Sequence, residues 1–353
     1  HYKVCSTFDS APEIGNIAAA VHALRPHVAN RFVPIVGGQP NIGRYCTFSN
    51  LYAAAGAGGT VYRIDRHPTM SRHPVTPMHE ADLRRHLGSL GLQEVAGLHA
   101  PAYGEESAAL DARLDALIAA APADVAAVLL DLTEPEQLAA IGRLIWSRAQ
   151  QARLLAVGPS SVVQALAAYW RERGELPAAG NSGAPHEAAR TPVFVLAGSL
   201  SPVTAGQVDA AASYTRLAID AGRLVGGGPR YRDACIAETL QHLRAGRPVL
   251  ASTAPGSASG APAEPHAVAL ACADLLRHLL AQMPLARVGI AGGDTSSHAV
   301  QALDLWGLSF VRTLGPGVAL TRAHSDDPAL DGMELMLKGG QMGQEDLFER
   351  LAG

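Results

Sequence analysis

Two segments combine glycine, hydroxyl and carboxylate residues in a pattern suited to gripping phosphate: Val193 to Thr204 (VFVLAGSLSPVT) and Val288 to Ser297 (VGIAGGDTSS). In each, an apolar run rich in β-branched residues predicts a strand, and glycine lets the following backbone approach a ligand closely. The Ser, Thr or Asp residues beyond it can cap a helix. Free N–H groups and the positive dipole at that helix start would face bound phosphate oxygens. Gly198, Ser199, Ser201, Gly292, Gly293, Asp294 and Thr295 are therefore candidates for holding a nucleotide. The two glycines of the second segment and Thr295 rank above Asp294 as phosphate contacts. A carboxylate beside a phosphate is repelled unless it binds magnesium or a nucleotide hydroxyl, or faces away. Glycine-rich turns at Gly315 to Gly317 and Lys338 to Gly343 add Gly317, Gly339, Gly340 and Gly343 as candidates to wrap the base or ribose. Lys338 reads as a solvated charge. Taken alone, the glycines read as tight turns and Ser201 as a simple helix N-cap.

The first half carries a different chemistry. Ser6, Asp9 and Ser10 follow a strand-like start and offer hydroxyl and carboxylate partners to a polyhydroxylated acid. The ordinary alternative is that Asp9 or Ser10 caps the helix that follows. Gly37, Gly38 and Gln39 end a short apolar strand, where open α/β sheets tend to hold ligands. Arg66, Arg72 and His73 are the local cations suited to a substrate carboxylate, because arginine binds one through two parallel hydrogen bonds. His67 is a weaker candidate, since a loop histidine is more often structural.

The elements that must place these groups are those of an α/β protein. Hydrophobic residues make up 48% of the 353 against 17% charged, enough to bury parallel sheets under alanine-rich helices. This length predicts about two domains. Strands are expected at Tyr2 to Cys5, Phe32 to Val36, Val125 to Asp131, Leu154 to Gly158, Val193 to Ala197, Pro248 to Ser252 and Val288 to Ala291. Helices are expected at Ile14 to Leu24, Glu80 to Leu87 and Glu136 to Arg148, with a helical turn at Asn50 to Ala55. Arg63 to Met78 holds three prolines without periodicity and should be an ordered loop. Ala254 to Pro265 reads as a long loop, a candidate cover for a ligand. Glu172 to Thr191 collects Gly, Pro, Asn and Ser like a connector. The expected division is 1–175, a linker at 176–191, and 192–353.

A net charge of −4 without a long basic run lacks the electrostatic footprint of a nucleic-acid or acidic-membrane partner. Cys5, Cys46, Cys235 and Cys272 form no C-x-x-C pair, so neither a zinc knuckle nor a disulfide framework is indicated, and reduced thiols in a cytoplasm fit best. No metal-ligand cluster is assigned. No apolar run approaches the ~20 residues needed to span a bilayer. Oligomeric state is left open, a homo-oligomer included.

Six motifs, in order over essentially the whole chain, are specific where each alone is weak: Tyr2 to Ser10 (YKVCSTFDS), Gly37 to Pro40 (GGQP), Arg72 to Met78 (RHPVTPM), Ala197 to Thr204 (AGSLSPVT), Gly292 to Thr295 (GGDT) and Leu337 to Gly343 (LKGGQMG). Together they resemble the four-carbon acid sugar kinase family. The resemblance implies a sugar-acid-binding N-terminal domain and a nucleotide-binding C-terminal domain, each a largely parallel sheet flanked by helices. It also implies an active site in the cleft between them. The implied reaction is ATP- and magnesium-dependent phosphorylation of the C4 hydroxyl of threonate, erythronate or their 3-oxo forms, with Asp9 and Asp294 as catalytic carboxylates. Family members begin with a strand carrying an Asp-Asp-x-Thr-Gly-type motif. That segment is not present before Tyr2, so the natural chain is expected to extend upstream of His1, and part of the sugar site and the catalytic base with it.

Two rival readings belong to other classes. A sensor would bind a sugar acid or nucleotide without turnover, and ADP formation separates it from a kinase. A dinucleotide-dependent oxidoreductase is disfavoured because no G-x-G-x-x-G follows a strand with an acidic residue at the expected distance.

Overall fold

Phe32 to Gly37 and Ala126 to Asp131 are buried at every position, as strands are when a sheet is covered on both faces. The computed structural model describes residues 1–56, 58–73, 75–122, 124–178, 192–198, 201–254 and 263–353. Contacts divide the chain into two units, His1–Gly180 and Asn181–Gly353.

The first unit runs β1 (Tyr2–Lys3), α1 (Ile17–Leu24), β2 (Phe32–Gly37), β3 (Arg44–Thr47), β4 (Asn50–Ala54), β5 (Val61–Arg63), α2 (Leu83–Ser89), β6 (Ala96–Leu98), α3 (Ser107–Ala120), β7 (Ala126–Asp131), α4 (Leu138–Ala149), β8 (Val157–Gly158) and α5 (Ser161–Glu172). Five strands form a parallel sheet in the order β1-β8-β2-β7-β6. Successive residues point to opposite faces. Val33, Ile35, Ala127 and Leu129 therefore meet α1 and α2, while Phe32, Val36, Val128 and Leu130 meet α3, α4 and α5.

The helical turn expected at Asn50 to Ala55 is instead strand β4, paired antiparallel between β3 and β5. Its short run alternates burial with period two, and period two favours a strand once neighbours exist to pair with it. This small sheet is fastened to the carboxyl edge of the parallel one through bridges at Gln39 with Arg44 and Cys46 with Leu132. The fastening explains the Gly37-Gly38 pair. A Cβ on Gly38, whose φ is +96°, would lie 2.3 Å from the Leu132 carbonyl oxygen, and one on Gly37 would lie 2.8 Å from Cys46 Sγ. The close approach made by these glycines is to the protein's own backbone and side chains.

The second unit runs β9 (Phe194–Ala197), α6 (Pro202–Ala210), β10 (Thr215–Asp220), α7 (Ala221–Gly226), α8 (Gly228–Arg244), β11 (Val249–Ala254), α9 (Pro265–Gln282), β12 (Arg287–Ala291), α10 (Gly293–Ala302), β13 (Gly307–Gly315), β14 (Val318–His324), β15 (Glu334–Lys338) and α11 (Leu347–Ala352). Its sheet has the order β10-β11-β9-β12-β15-β14-β13, parallel from β10 to β15 and antiparallel through the last two strands. Phe194, Leu196, Val288 and Ile290 pack towards α8 and α9, and Val195, Ala197, Ala291 and Met336 towards α11. Among the described residues, no helix is long and apolar enough to cross a membrane.

Candidate functional site

In the first unit the carboxyl ends of the parallel strands collect polar groups from distant parts of the chain. Asp9, beyond β1, accepts hydrogen bonds from the Thr7 hydroxyl and from Thr76 Oγ1, the latter at 2.9 Å. His73 Nδ1 lies 3.1 Å from the same Thr76 hydroxyl and accepts from the Thr76 amide at 3.1 Å. Cys5 Sγ is 3.0 Å from Thr7 Oγ1, so a polar row runs Cys5, Thr7, Asp9, Thr76, His73. Two predicted residues, Asp9 and His73, are thus brought together, and Thr7 and Thr76, which were not predicted, join them.

The other predicted groups take different places. Ser10 is buried, donates to the Gly15 carbonyl and accepts from the Ile17 amide, so it fastens the start of α1 while Asn16 caps it. Arg66 and Arg72 are exposed and form no ion pair among the described residues, and Ser6 is half-buried. His67 is 1% exposed, with Nδ1 accepting from the Thr69 and Met70 amides at 3.2 Å. Burial lowers its pKa, and its role is to hold the turn together.

Asp131 and His99 form a pair that composition and spacing did not reveal. Asp131 ends β7, is fully buried and accepts from the Ser49 amide at 3.0 Å and the Ala100 amide at 3.3 Å. His99 Nδ1 lies 3.2 Å from its other-side oxygen Oδ2. Because those carboxylate oxygens act as acceptors, the ring donates through Nδ1 and leaves Nε2 as its second polar atom. The only sequence signal is that both residues follow short apolar strands.

In the second unit the two predicted phosphate cradles are neighbours. β9 and β12 pair in parallel, the Gly198 amide donates to the Ala291 carbonyl at 2.9 Å, and the Gly292 amide donates to the Lys338 carbonyl at 2.9 Å. The ends of β9, β12 and β15 therefore lie side by side, and α6 and α10 start at this edge. Gly292 has φ +125°, and a Cβ on Gly293 would meet nothing within 4 Å. Gly293 and Asp294 are exposed, whereas Thr295 is buried against Gly198. Thr295 thus packs the two bends together, while Gly293 and Asp294 present the open start of α10. Ser199 lies outside the described residues, as does the 255–262 part of the predicted covering loop.

The 338–344 turn is bolted to α6. Ser201 caps that helix, accepting from the Thr204 amide at 3.3 Å, and its hydroxyl donates to the Gly340 carbonyl, as does Thr204 Oγ1 at 3.0 Å. Gln207 donates to the Met342 and Gln344 carbonyls. Gly339 is half-buried in this turn. Gly343, at φ +87°, has no room for a Cβ, which would lie 2.6 Å from Leu347 Cδ2, so it is a turn glycine packed inwards. Gly317, at φ +72°, turns the β13–β14 hairpin, which lies at this same edge because β14 runs antiparallel to β15.

Lys338 is not the solvated charge its sequence suggested. It is 2% exposed, with Nζ donating to Thr204 Oγ1 at 2.9 Å and Gln207 Oε1 at 2.7 Å, and no carboxylate pairs with it among the described residues. Burial lowers its pKa to about 8. The linkage has a definite sign: between about pH 8 and the ordinary lysine value the unfolded chain binds the proton that the folded one releases, so stability rises with pH there. Wild type should gain about 3 kcal/mol relative to Lys338→Met across that window, read from urea unfolding of both proteins at pH 7.5 and 10.5. A stability difference that does not change with pH would show that the ammonium is not desolvated.

Each unit thus gathers its own polar set, hydroxyl, carboxylate and imidazole groups in the first and adjacent glycine bends with a buried lysine in the second, the two sets expected from the sequence for a polyhydroxylated acid and for a phosphate. Family models agree: the sugar-binding N-terminal domain matches residues 1–166 and the nucleotide-binding C-terminal domain residues 194–348. The chain belongs to the four-carbon acid sugar kinase family. It is 38% identical to a 3-oxo-isoapionate kinase of Paraburkholderia graminis, covering 100% of this chain and 78% of that protein. It is 32% identical to a 3-oxo-tetronate kinase of Methylobacterium radiotolerans, covering 99% and 79%. Crystal structures of a Salmonella typhimurium protein (24% identity, TM-score 0.68, covering 99% and 79%) and a Haemophilus influenzae protein (22%, 0.62, 99% and 80%) share the fold.

Proposed function

We propose that this chain is an ATP-dependent kinase that transfers the γ-phosphoryl group to the terminal C4 hydroxyl of a four-carbon sugar acid, with threonate, erythronate and their 3-oxo forms as the substrate class. The observation that carries the reading is the adjacency of the Gly198 and Gly292 bends, with a buried lysine that no carboxylate pairs among the described residues. That arrangement supplies backbone donors, a helix start and a stored positive charge to a polyphosphate.

Phosphoryl transfer demands positioning and charge stabilisation more than covalent chemistry from the protein. Gly293 and the first turn of α10 would cradle phosphate oxygens. Lys338 would offset their charge from beneath, through the hydroxyl of Thr204. Asp294, exposed on that first turn, is a single carboxylate of the sort that magnesium accepts alongside phosphates and water. Asp294 would hold the ion at the start of α10, and the chemistry such an ion supplies is positive charge against the transferring phosphates. On the sugar-acid side, Asp9 would take the proton of the attacking hydroxyl. Thr7 and Thr76 hold both of its oxygens, and His73 Nδ1 accepts from the Thr76 amide and so steadies that threonine.

A coupled assay of ADP formation over threonate, erythronate and their 3-oxo analogues tests the proposal. The name of the relative at 38% identity adds 3-oxo-isoapionate to the panel. Acid-dependent ADP release is the expected result. Binding of acid and ATP without turnover would replace the kinase by a sensor.

A further inference from the structure

Arg44 is almost wholly buried, yet one hydrogen-bonding edge of its guanidinium has no partner among the described residues. It begins β3, whose alternating burial turns it to the same side as the fully buried Cys46, and it is 4% exposed. Among the described residues its side chain makes one hydrogen bond, from Nη1 to the Ile42 carbonyl. Nε is buried without a partner, and Nη2 has none among the described residues. Nor does a carboxylate pair with it among those residues. Burial lowers its pKa, opposed weakly by Cys5, two residues beyond β1, and by Tyr45. Its bridge to Gln39, two residues beyond the end of β2, places it at the carboxyl edge of the parallel sheet.

A desolvated guanidinium left unpaired costs several kcal/mol, and a ligand anion would recover that cost. The unpartnered Nε–H and Nη2–H lie on one edge of the planar group and point the same way, at the spacing of two carboxylate oxygens. Directly opposite in the β-bridge stands Gln39, 6% exposed and without a side-chain partner among the described residues. Opposed residues of an antiparallel bridge project to the same face, so an amide lies beside the fork.

We propose that Arg44 binds the carboxylate of the sugar acid through Nε and Nη2, with the Gln39 amide beside it. Arg66 and Arg72, exposed on the surface, do not hold that group. This assignment rests on the sugar-acid kinase reading and names the residue that anchors its substrate. It also gives the substrate a direction, with the carboxylate at the Arg44 end and the terminal hydroxyl towards Asp9.

The test is calorimetric binding of erythronate and of its uncharged amide to the whole chain, using wild type, Arg44→Met, Arg44→Lys and the double variant Arg66→Ala/Arg72→Ala. Wild type should prefer the acid by on the order of 100-fold, the worth of a desolvated charge-assisted pair. Arg44→Met should lose that preference while still binding the amide, Arg44→Lys should keep part of it, and the surface double variant should keep all of it. If Arg44→Met does not fold, as judged by circular dichroism, the wild-type ratio and Arg44→Lys decide. Unchanged erythronate affinity in Arg44→Lys and Arg44→Met, equal wild-type affinity for acid and amide, or loss of affinity in the surface double variant overturns the assignment and leaves the kinase reading standing. Failure of the folded wild type to bind any tetronate takes both down.

Discussion

Gly198→Val should raise the Kd for ATP by on the order of 100-fold or more and destabilise the second unit by about 1–3 kcal/mol, the usual cost of overpacking. A Cβ at this position would lie 2.3 Å from Thr295 Oγ1 and 3.0 Å from Thr295 Cβ, so the collision reaches the root of the side chain as well as its tip. Thr295 is 4% exposed and cannot swing into solvent. The strand ends are locked by the 2.9 Å hydrogen bond from the Gly198 amide to Ala291. Relief must come from parting β9 and the start of α10, which moves the Gly293 amide away from the place where a phosphate would sit. Titration with a fluorescent ATP analogue and urea unfolding measure the two effects separately. The milder Gly198→Ala should be substantially rescued by Thr295→Ala, with a coupling well outside additivity, because the two residues share one contact. Wild-type nucleotide affinity in Gly198→Val would remove the central support for a polyphosphate site at these bends.

Asp9→Asn should lower kcat by about 10²–10⁴-fold, the range over which a positioned general base acts, while leaving the KM for ATP unchanged. Its two hydroxyl partners explain the sensitivity. Thr7 and Thr76 donate to opposite oxygens of the carboxylate, fixing its plane, and an amide offers only one acceptor oxygen to those two donors. Thr76→Val should show a smaller loss of the same kind, since it frees one oxygen and unlinks His73. Steady-state rates with saturating erythronate, and single-turnover rates that isolate the chemical step, provide the measurement. A kcat within a factor of two of wild type would move the base elsewhere.

Local chemistry made the two strand-to-helix bends readable. Gly198 and Gly292 follow apolar strands and precede helices, and both properties are written within a dozen consecutive residues. Asp9, likewise, stands after a strand in the sequence and beyond a strand in the structure. Lys338 was misjudged because a charged residue closing an apolar run ordinarily faces water. Here the 338–344 turn folds back on α6 and closes over it. Arg66 and Arg72 are the conspicuous cations in the sequence because they sit in a basic loop, whereas Arg44, proposed here for the carboxylate, stands apart from it. Its own signal was quieter: alternation along Arg44-Tyr45-Cys46-Thr47 puts the arginine on the side of a buried cysteine. The short strand β4 was mistaken for a turn of helix because its identity depends on β3 and β5 being there to pair with it.

Amino-acid order by itself determined that this protein would build parallel sheets under helices in two units, and that glycine bends would stand at the ends of particular strands, because periodicity, capping and backbone freedom act over a few residues. Tertiary structure alone decided which of those ends became neighbours. The meeting of Asp9 with Thr76 joins positions 67 apart, and that of Lys338 with Thr204 joins positions 134 apart. It also decided which cations lost their water, since desolvation is set by what packs around a charge and not by the residues on either side of it.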